Sequence, residues 1–319
     1  MPGMYVRDTY LYNRSRNGKW SGMENSTPGK VFYVAPTTAY VAGFTVGSAQ
    51  NWARENNQFV YNTLDLAYAQ VVDGRGDAIV LLPGTHTPTA SIANSKAGLS
   101  IYGADAWCGN YVRKPSSILV GPAGDEAFNI TGPNMSLIGV TCRPVTEKAF
   151  ATFTGAADGL TIRGCYLDLA TPVVNIATAG FVGSAAIDDF LFENNVAWSD
   201  GAQGPAVEIT GNNVNAIFRR NHYHVDLGTW ASAVNLIAPD GIVVEHEKAT
   251  CGGTAMTACF TGSSTTVIAG VVFNDCRNGV LVTKFVDGFG TNSHAELNQN
   301  YIGEVGAGTG GVALVTVVT

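Results

Sequence analysis

Ala206-Val-Glu-Ile-Thr-Gly211 followed by Ala216-Ile-Phe-Arg-Arg220 has a counterpart in Ala233-Val-Asn-Leu236 followed by Ile242-Val-Val-Glu-His246. Each unit is a short run alternating apolar with polar residues, a turn rich in Gly and Asn, and a second such run. Alternation at period two marks a strand with one buried face. Working outward, the first run recurs as Ala127-Phe-Asn-Ile-Thr-Gly132, Ala149-Phe-Ala-Thr-Phe-Thr-Gly155 and Val173-Val-Asn-Ile176. The five starts lie 22, 24, 33 and 27 residues apart. The second run recurs as Leu137-Ile-Gly139, Leu160-Thr-Ile-Arg-Gly164 and Phe190-Leu-Phe-Glu-Asn194, and its five ends lie 25, 30, 26 and 26 residues apart. Two independent ladders share one period.

A period in the mid-twenties, with two or three short strands per unit and no helix inside it, predicts an all-β right-handed single-stranded parallel β-helix, a solenoid. A leucine-rich repeat would show a regular Leu/Asn consensus with a helix in each unit. Successive coils stack about 4.8 Å apart, so equivalent residues form columns. The expected inward columns are Val174, Val207 and Val234 beside Ile176, Ile209 and Leu236, with Asn129, Asn175, Glu208 and Asn235 facing outward.

Ahead of the coils, Thr63 can cap a helix in which Leu64, Ala67, Tyr68 and Val71 fall at i, i+3, i+4 and i+7, with Gly74 past its end. A solenoid exposes an apolar end unless something covers it, so this helix is expected to be the N-terminal cap. The predicted organisation is an extended N-terminal arm over 1–30, a lead-in strand and capping helix over 31–75, coils over 76–290, and a C-terminal cap and β tail over 291–319. The arm carries +3 and the rest of the chain −10. The tail, Gly310-Gly-Val-Ala-Leu-Val-Thr-Val-Val-Thr319, is β-prone and suited to pairing with the body or a neighbouring subunit.

Composition excludes several classes. Of 319 residues only 13% are charged, against about 25% in an ordinary domain. With 14 Phe, 12 Tyr and 5 Trp the chain is no disordered polymer. There is no apolar run of the length a membrane span requires. Net charge of −7 argues against nucleic acid. The six cysteines (Cys108, Cys142, Cys165, Cys251, Cys259, Cys276) have neither zinc-finger nor disulfide-framework spacing and read as small buried apolar side chains. The N-terminal residues lack the apolar core of a secretory signal, which predicts synthesis in a cytoplasm. On that expectation the triplets at Asn13, Asn25, Asn129 and Asn134 are chance matches to a glycosylation pattern.

Nucleotide loops, GxSxG, HExxH and calcium-loop patterns do not occur. His222 and His224, two apart on a strand with Asp226 nearby, share a face, but no carboxylate or cysteine column completes a metal set. Polysaccharide cleavage needs two carboxyls about 5 to 9.5 Å apart. One outward column reads Arg163, Glu193, Arg219, Glu245. Glu193 and Glu245 would lie two coils, about 10 Å, apart, with Arg219 between them. Such alternation predicts a structural charge ladder rather than a catalytic pair. Asp188 and Asp189 are adjacent and should point apart, a poor dyad, and Glu208 completes the carboxylates a cleavage reading would test. Trp107, Trp198, Trp230 and Tyr223 are candidate sugar platforms, with core or subunit contact as the alternative.

The stretch Asn62–His86, TLDLAYAQVVDGRGDAIVLLPGT between its ends, resembles the cap-helix-to-first-coil segment of right-handed parallel β-helix proteins of the pectate-lyase-like class, particularly those encoded among the virion genes of tailed bacteriophages. Ala97–Gly103 and Arg113–Ile118 are similar to the second coil of those proteins, and Phe32–Pro36 to their lead-in strand. The likeness spans residues 30 to 145 in pattern and the later coils in rhythm. It implies a virion component. The secreted lyases of this class carry a signal peptide and clustered calcium-binding Asp residues, and neither is found here. The expectation is a non-enzymatic phage structural protein, a homotrimeric capsid decoration (cement) or head-spike protein, attached to the major capsid protein lattice through its N-terminal region. Alternatives are a tail-associated depolymerase or lyase and a virion protein that holds a host surface glycan without cleaving it. No catalytic residue, cofactor or metal ligand is assigned, and neither nucleic acid nor membrane is an expected partner.

Overall fold

The computed structural model describes residues 29–36, 59–104, 114–145, 148–169, 179–184, 187–200, 204–211, 213–226, 228–237, 239–252, 255–263, 271–274, 277–278, 282–287 and 293–296. One coil shows how the rest are built. Thr161–Arg163 lies in a first sheet, Tyr166–Asp168 in a second and Phe181–Gly183 in a third; the short strand Ile187–Asp188 then leads back to Leu191–Glu193 in the first sheet. Repetition produces an eleven-stranded sheet and two eight-stranded ones, with a three-stranded strip at one corner. Among the described residues every pairing between strands is parallel. The chain is a right-handed parallel β-helix, as its rhythm predicts. The coil ladder continues through Ser293–Glu296, which pairs with Val271–Asn274.

Backbone at the two ends of each first-sheet strand explains the turn composition. Two residues before the strand, Gly98, Asn134, Gly159, Asp189, Asn215 and Gly241 adopt positive φ. Directly after it, Gly139, Gly164, Asn194, Arg220 and His246 do the same. Their N–H groups reach along the axis: Gly164 donates to the Glu193 carbonyl and Asn194 to that of Arg219. Gly, Asn and Asp tolerate this left-handed region best, which is why they recur at these corners.

Inside, columns of apolar side chains fill the tube. Phe181, Phe190, Phe192, Phe218 and Phe260 are at most 1% exposed. Their rings contact one another from coil to coil at centroid distances of 5.6 to 6.4 Å. The inward pairs Val207 with Val234 and Ile209 with Leu236 stand as expected. In the coil before them, Phe181 and Gly183 occupy the places assigned to Val174 and Ile176, which lie outside the described residues with Asn175. The physical reason is Gly183. A Cβ there would run into the Phe153 ring, which leans across the gap to stack on Phe190 at 5.9 Å. A neighbour's ring fills the space, so the strand lacks the second apolar residue that the alternation led one to seek. The outward column keeps Asn129, Glu208 and Asn235, joined by Thr152, Val182 and Thr261.

At the N-terminal end the helix is shorter than the periodicity predicts, running Leu64–Ala69. Thr63 caps it, its Oγ1 accepting from Leu66 N–H. The last turn tightens, with Gln70 N–H on the Ala67 carbonyl and Val71 N–H on that of Tyr68. Val72 N–H is diverted to Asp77 Oδ2 at 2.8 Å. Leu64, Ala67 and Val71 join the core alongside Phe32, Val34 and Ile79, so the helix closes the tube as expected. Lys96, from the coil above, places Nζ 2.7 Å from the carbonyls of both Tyr68 and Val71, supplying a cation where the helix C-terminus is negative. The lead-in strand Val31–Val34 does not end the sheet: Phe59–Tyr61 pairs on its far side. Asp77 fastens this end, accepting from the N–H groups of Lys30 and Val72 and from Arg75. Cys142, Cys165 and Cys259 are buried thiols and Cys251 is half-buried, while Cys108 and Cys276 fall outside the described residues. Among the described residues no helix is long and apolar enough to cross a membrane. Residues 1–28 of the proposed arm, the tail 310–319 and Trp107 also lie outside them.

Candidate functional site

The charge column forms as its spacing predicts. Arg163 pairs in register with Glu193, Glu193 with Arg219, and Arg219 with Glu245. Glu193 points outward yet is only 2% exposed, because two guanidinium groups close over it. Arg219 Nε donates to Glu193 Oε1 at 2.8 Å, and Arg163 Nε lies 3.3 Å from Oε2. A general acid or nucleophile needs a carboxyl open to substrate; this one is enclosed between cations. Glu245 is half-exposed two coils from Glu193, with Arg219 between.

The other expected carboxylates do not converge with it. Glu208 stands on the outer face of the third sheet. Asp188 ends the short corner strand, and Asp189 follows with φ 57°. Both are exposed and held coil to coil, Asp188 N–H donating to Asp158 Oδ1 and Asn215 Nδ2 to Asp189 Oδ1.

A denser cluster of functional side chains stands on the outer face of the second sheet. One column there reads Arg143, Asp168, Trp198, His224, Thr250. Beside it run Tyr166, Val196, His222 and Lys248. Asp168 Oδ2 accepts from Lys114 Nζ at 2.9 Å and from Arg143 Nη2 at 2.8 Å, and the Lys114 ammonium sits 4.8 Å over the Tyr166 ring. Lys114 stands just ahead of the strand Ser117–Val120 within the second coil, two coils from Asp168, a contact for which local spacing gives no signal. Of the three expected sugar platforms among the described residues, Trp198 reaches this face, while Trp230 and Tyr223 are wholly buried in the core. The His224 ring lies against Trp198 at a centroid distance of 4.2 Å and a tilt of 35°, so one side of the indole is already occupied. The two histidines converge on one face of the strand His222–Val225, as period two predicts. His222 Nε2 and His224 Nδ1 lie 2.7 and 2.8 Å from the same Thr250 hydroxyl. Both nitrogens are thus engaged, and the Lys248 ammonium nearby opposes a cation. Among the described residues no group of three or more potential metal ligands assembles.

Burial first, then Lys248 and His224, pull His222 down to about 4. Burial likewise pulls His86 to about 4; its Nε2–H donates to the Leu82 carbonyl at 2.6 Å. Both rings are neutral at pH 7. Their folded values lie below the unfolded one near 6.5, so the unfolded chain binds protons that the folded chain refuses between about pH 4 and 6.5. Stability from these groups is present above 6.5 and falls on acidification. Replacing His86 by Gln should flatten this acid limb, which denaturant midpoints at pH 4.5, 5.5 and 6.5 would show as a smaller spread than in the parent.

Sequence reasoning missed one set of residues altogether. Cys165, Asn195, Asn221 and Glu247 each follow a left-handed corner residue and point inward between the first and second sheets. The signal was present, since each immediately follows the last residue of the second run and shares its spacing of 30, 26 and 26. Asn195 Oδ1 accepts from Cys165 N–H, and Asn221 Oδ1 from both the N–H and Nδ2 of Asn195. Glu247 Oε1 accepts from the same two groups of Asn221.

Neither a protein-family model nor a curated protein matches the chain. Solved structures do. A pectin methylesterase in complex with a hexasaccharide is 9% identical, covering 90% of this chain and 93% of its own, with a TM-score of 0.55. The pectin methylesterase of Aspergillus niger is 12% identical over 89% of this chain and 93% of its own, with a TM-score of 0.41. Tailspike protein 2 of the Escherichia coli O157:H7 bacteriophage CAB120 is 11% identical over 71% of this chain and 38% of its own, with a TM-score of 0.30. The first likeness establishes the class, the right-handed parallel β-helix. A shared fold does not carry an activity with it.

Proposed function

We propose that the protein is a non-enzymatic structural component of a tailed-phage virion, a homotrimeric capsid decoration or head-spike protein held on the major capsid protein lattice by its N-terminal region. The observation that carries this reading is the state of Glu193. It belongs to the outward column of alternating Arg and Glu, and both of its oxygens face guanidinium groups. Asp168 on the neighbouring sheet is likewise held by Lys114 and Arg143. At these two carboxylates, outward charge ties coil to coil, as befits a stiff rod, and does not stand ready for proton transfer. The phage placement rests on the resemblance of residues 30–145 to virion β-helices. The opposite charges of arm and body suit attachment through the arm, with synthesis in the host cytoplasm and final residence on the capsid surface. A decorating protein that binds only the assembled shell would stabilise it by linkage.

Quantitative mass spectrometry of purified particles tests this. Copies comparable to the major shell subunit are expected. A few copies per particle would overturn decoration and favour the tail-associated depolymerase or glycan-binding alternatives, to be separated by release of reducing ends from host glycan. Absence from particles would remove the virion reading.

A further inference from the structure

The inward ladder at the corner between the first and second sheets changes chemistry at its last described member. Asn195 and Asn221 use their two side-chain ends in one way. The oxygen of each accepts from the backbone N–H of the preceding coil, and the Nδ2 donates back to a carbonyl there, Ile162 for Asn195 and Phe192 for Asn221. Glu247 repeats the first half: Oε1 accepts from Asn221 N–H at 3.1 Å and from Asn221 Nδ2 at 2.9 Å. Its Oε2, the counterpart in the ladder of the donating nitrogen, is buried and makes no hydrogen bond of good geometry. Register places the carbonyl of Phe218 as the counterpart of those of Ile162 and Phe192. An ionised Oε2 would set acceptor against acceptor in a site with no exposure to water.

We infer that Glu247 is carried as the neutral carboxylic acid and acts as a proton-held latch, its Oε2–H taking the donor role that Nδ2 plays in Asn195 and Asn221. The groups around it pull in both directions. The Tyr223 hydroxyl faces the carboxyl from the preceding coil and Asn221 donates to it, both favouring its ionised form, whereas burial, the larger influence, and the Glu245 carboxylate two residues earlier oppose a negative charge there. Among the described residues no cation pairs with it. Cys276, next in register, lies outside the described residues. Burial is the largest influence and lifts the group from 4.5 to about 8. The folded chain therefore keeps a proton that the unfolded chain releases between those values. Stability from this group is full below about 4.5 and is lost as pH rises toward 8, the folded-to-unfolded ratio falling up to about tenfold per pH unit. Above that range the latch opens and the coils it joins loosen first.

The test compares the full chain with Glu247→Gln, which keeps the shape and supplies a permanent N–H donor in place of the acid proton. Equilibrium unfolding from pH 6 to 9 is expected to show the parent's unfolding constant rising about tenfold or more while that of the variant stays nearly level. Equal pH dependence in the two chains, or none in the parent, would overturn the inference. Should the variant fail to fold, infrared spectra of the parent decide. A protonated, buried carboxyl band at pH 7 that disappears above about pH 9 supports the latch, and its absence at pH 7 refutes it.

Discussion

Phe218→Ala should lower the free energy of unfolding by about 3–5 kcal/mol, the cost of removing a fully buried ring whose surroundings cannot close over the gap. Phe218 is 0% exposed. It meets Phe190 at 5.6 Å, Phe260 at 5.7 Å and Phe192 at 6.0 Å, so it joins rings from the coil before and from the coil after. Collapse around an alanine would require coils to approach more closely than the strand spacing, which the hydrogen-bonded ladders on both sides forbid. The cavity therefore persists. Phe218→Leu, which keeps most of the volume, should cost far less. Because each coil touches only its neighbours, the damage is expected to be local. Hydrogen exchange should accelerate most in strands Leu191–Glu193 and Val243–Glu245, next to the substitution, and least near the capping helix. A loss below about 1 kcal/mol in urea titrations would show that the tube repacks, contrary to the rigidity argued here.

What the sequence shows and what it conceals follow from how a solenoid is built. Outward positions reveal themselves, because stacking at fixed spacing imposes a rule between neighbours that a reader can check by counting. Arg163, Glu193, Arg219 and Glu245 were legible for that reason, and their register is as counted. Inward positions are harder, because the interior is filled by volume rather than by position. Phe153 leaning over Gly183 satisfies the core without an apolar residue at 183, so the alternation pointed to Val173–Ile176 instead. The polar ladder was concealed by convention. Asn195 and Asn221 follow turn residues and look like turn residues, whereas they sit 1% exposed, with every donor directed to a neighbouring coil. The cluster of Lys114, Arg143 and Asp168 links residues up to 54 apart and depends on the path of the chain around the tube, which local pattern cannot supply.

Asn221→Ala should be the most damaging polar substitution, costing about 3 kcal/mol or more although it removes no hydrophobic contact of note. The reason is the number of buried groups that lose a partner together. Asn195 loses the acceptor for its N–H, the Phe192 carbonyl loses the Nδ2 donor, and Glu247 Oε1 loses its side-chain donor. Each buried group left unpaired costs about 1–3 kcal/mol, with incomplete additivity among neighbours in one network. Asn221→Asp separates the contributions. Its oxygen still accepts from Asn195, but it brings a second carboxyl against Glu247 and no donor, so it should match alanine in acid and fall below it in alkali. The alanine variant carries a further consequence for the latch. The Asn221 hydrogen bonds favour the ionised form of Glu247, and without Nδ2 the acid should hold its proton to a higher pH than in the parent. Asn221→Ala is thus expected to be less stable at every pH, and its pH-dependent loss should continue to a higher pH than in the parent, where it levels off near 8. Unfolding curves at pH 6, 8 and 9 would test both, and a loss that levelled off between pH 8 and 9 as it does in the parent would show that the hydrogen bonds of Asn221 do not govern the proton on Glu247.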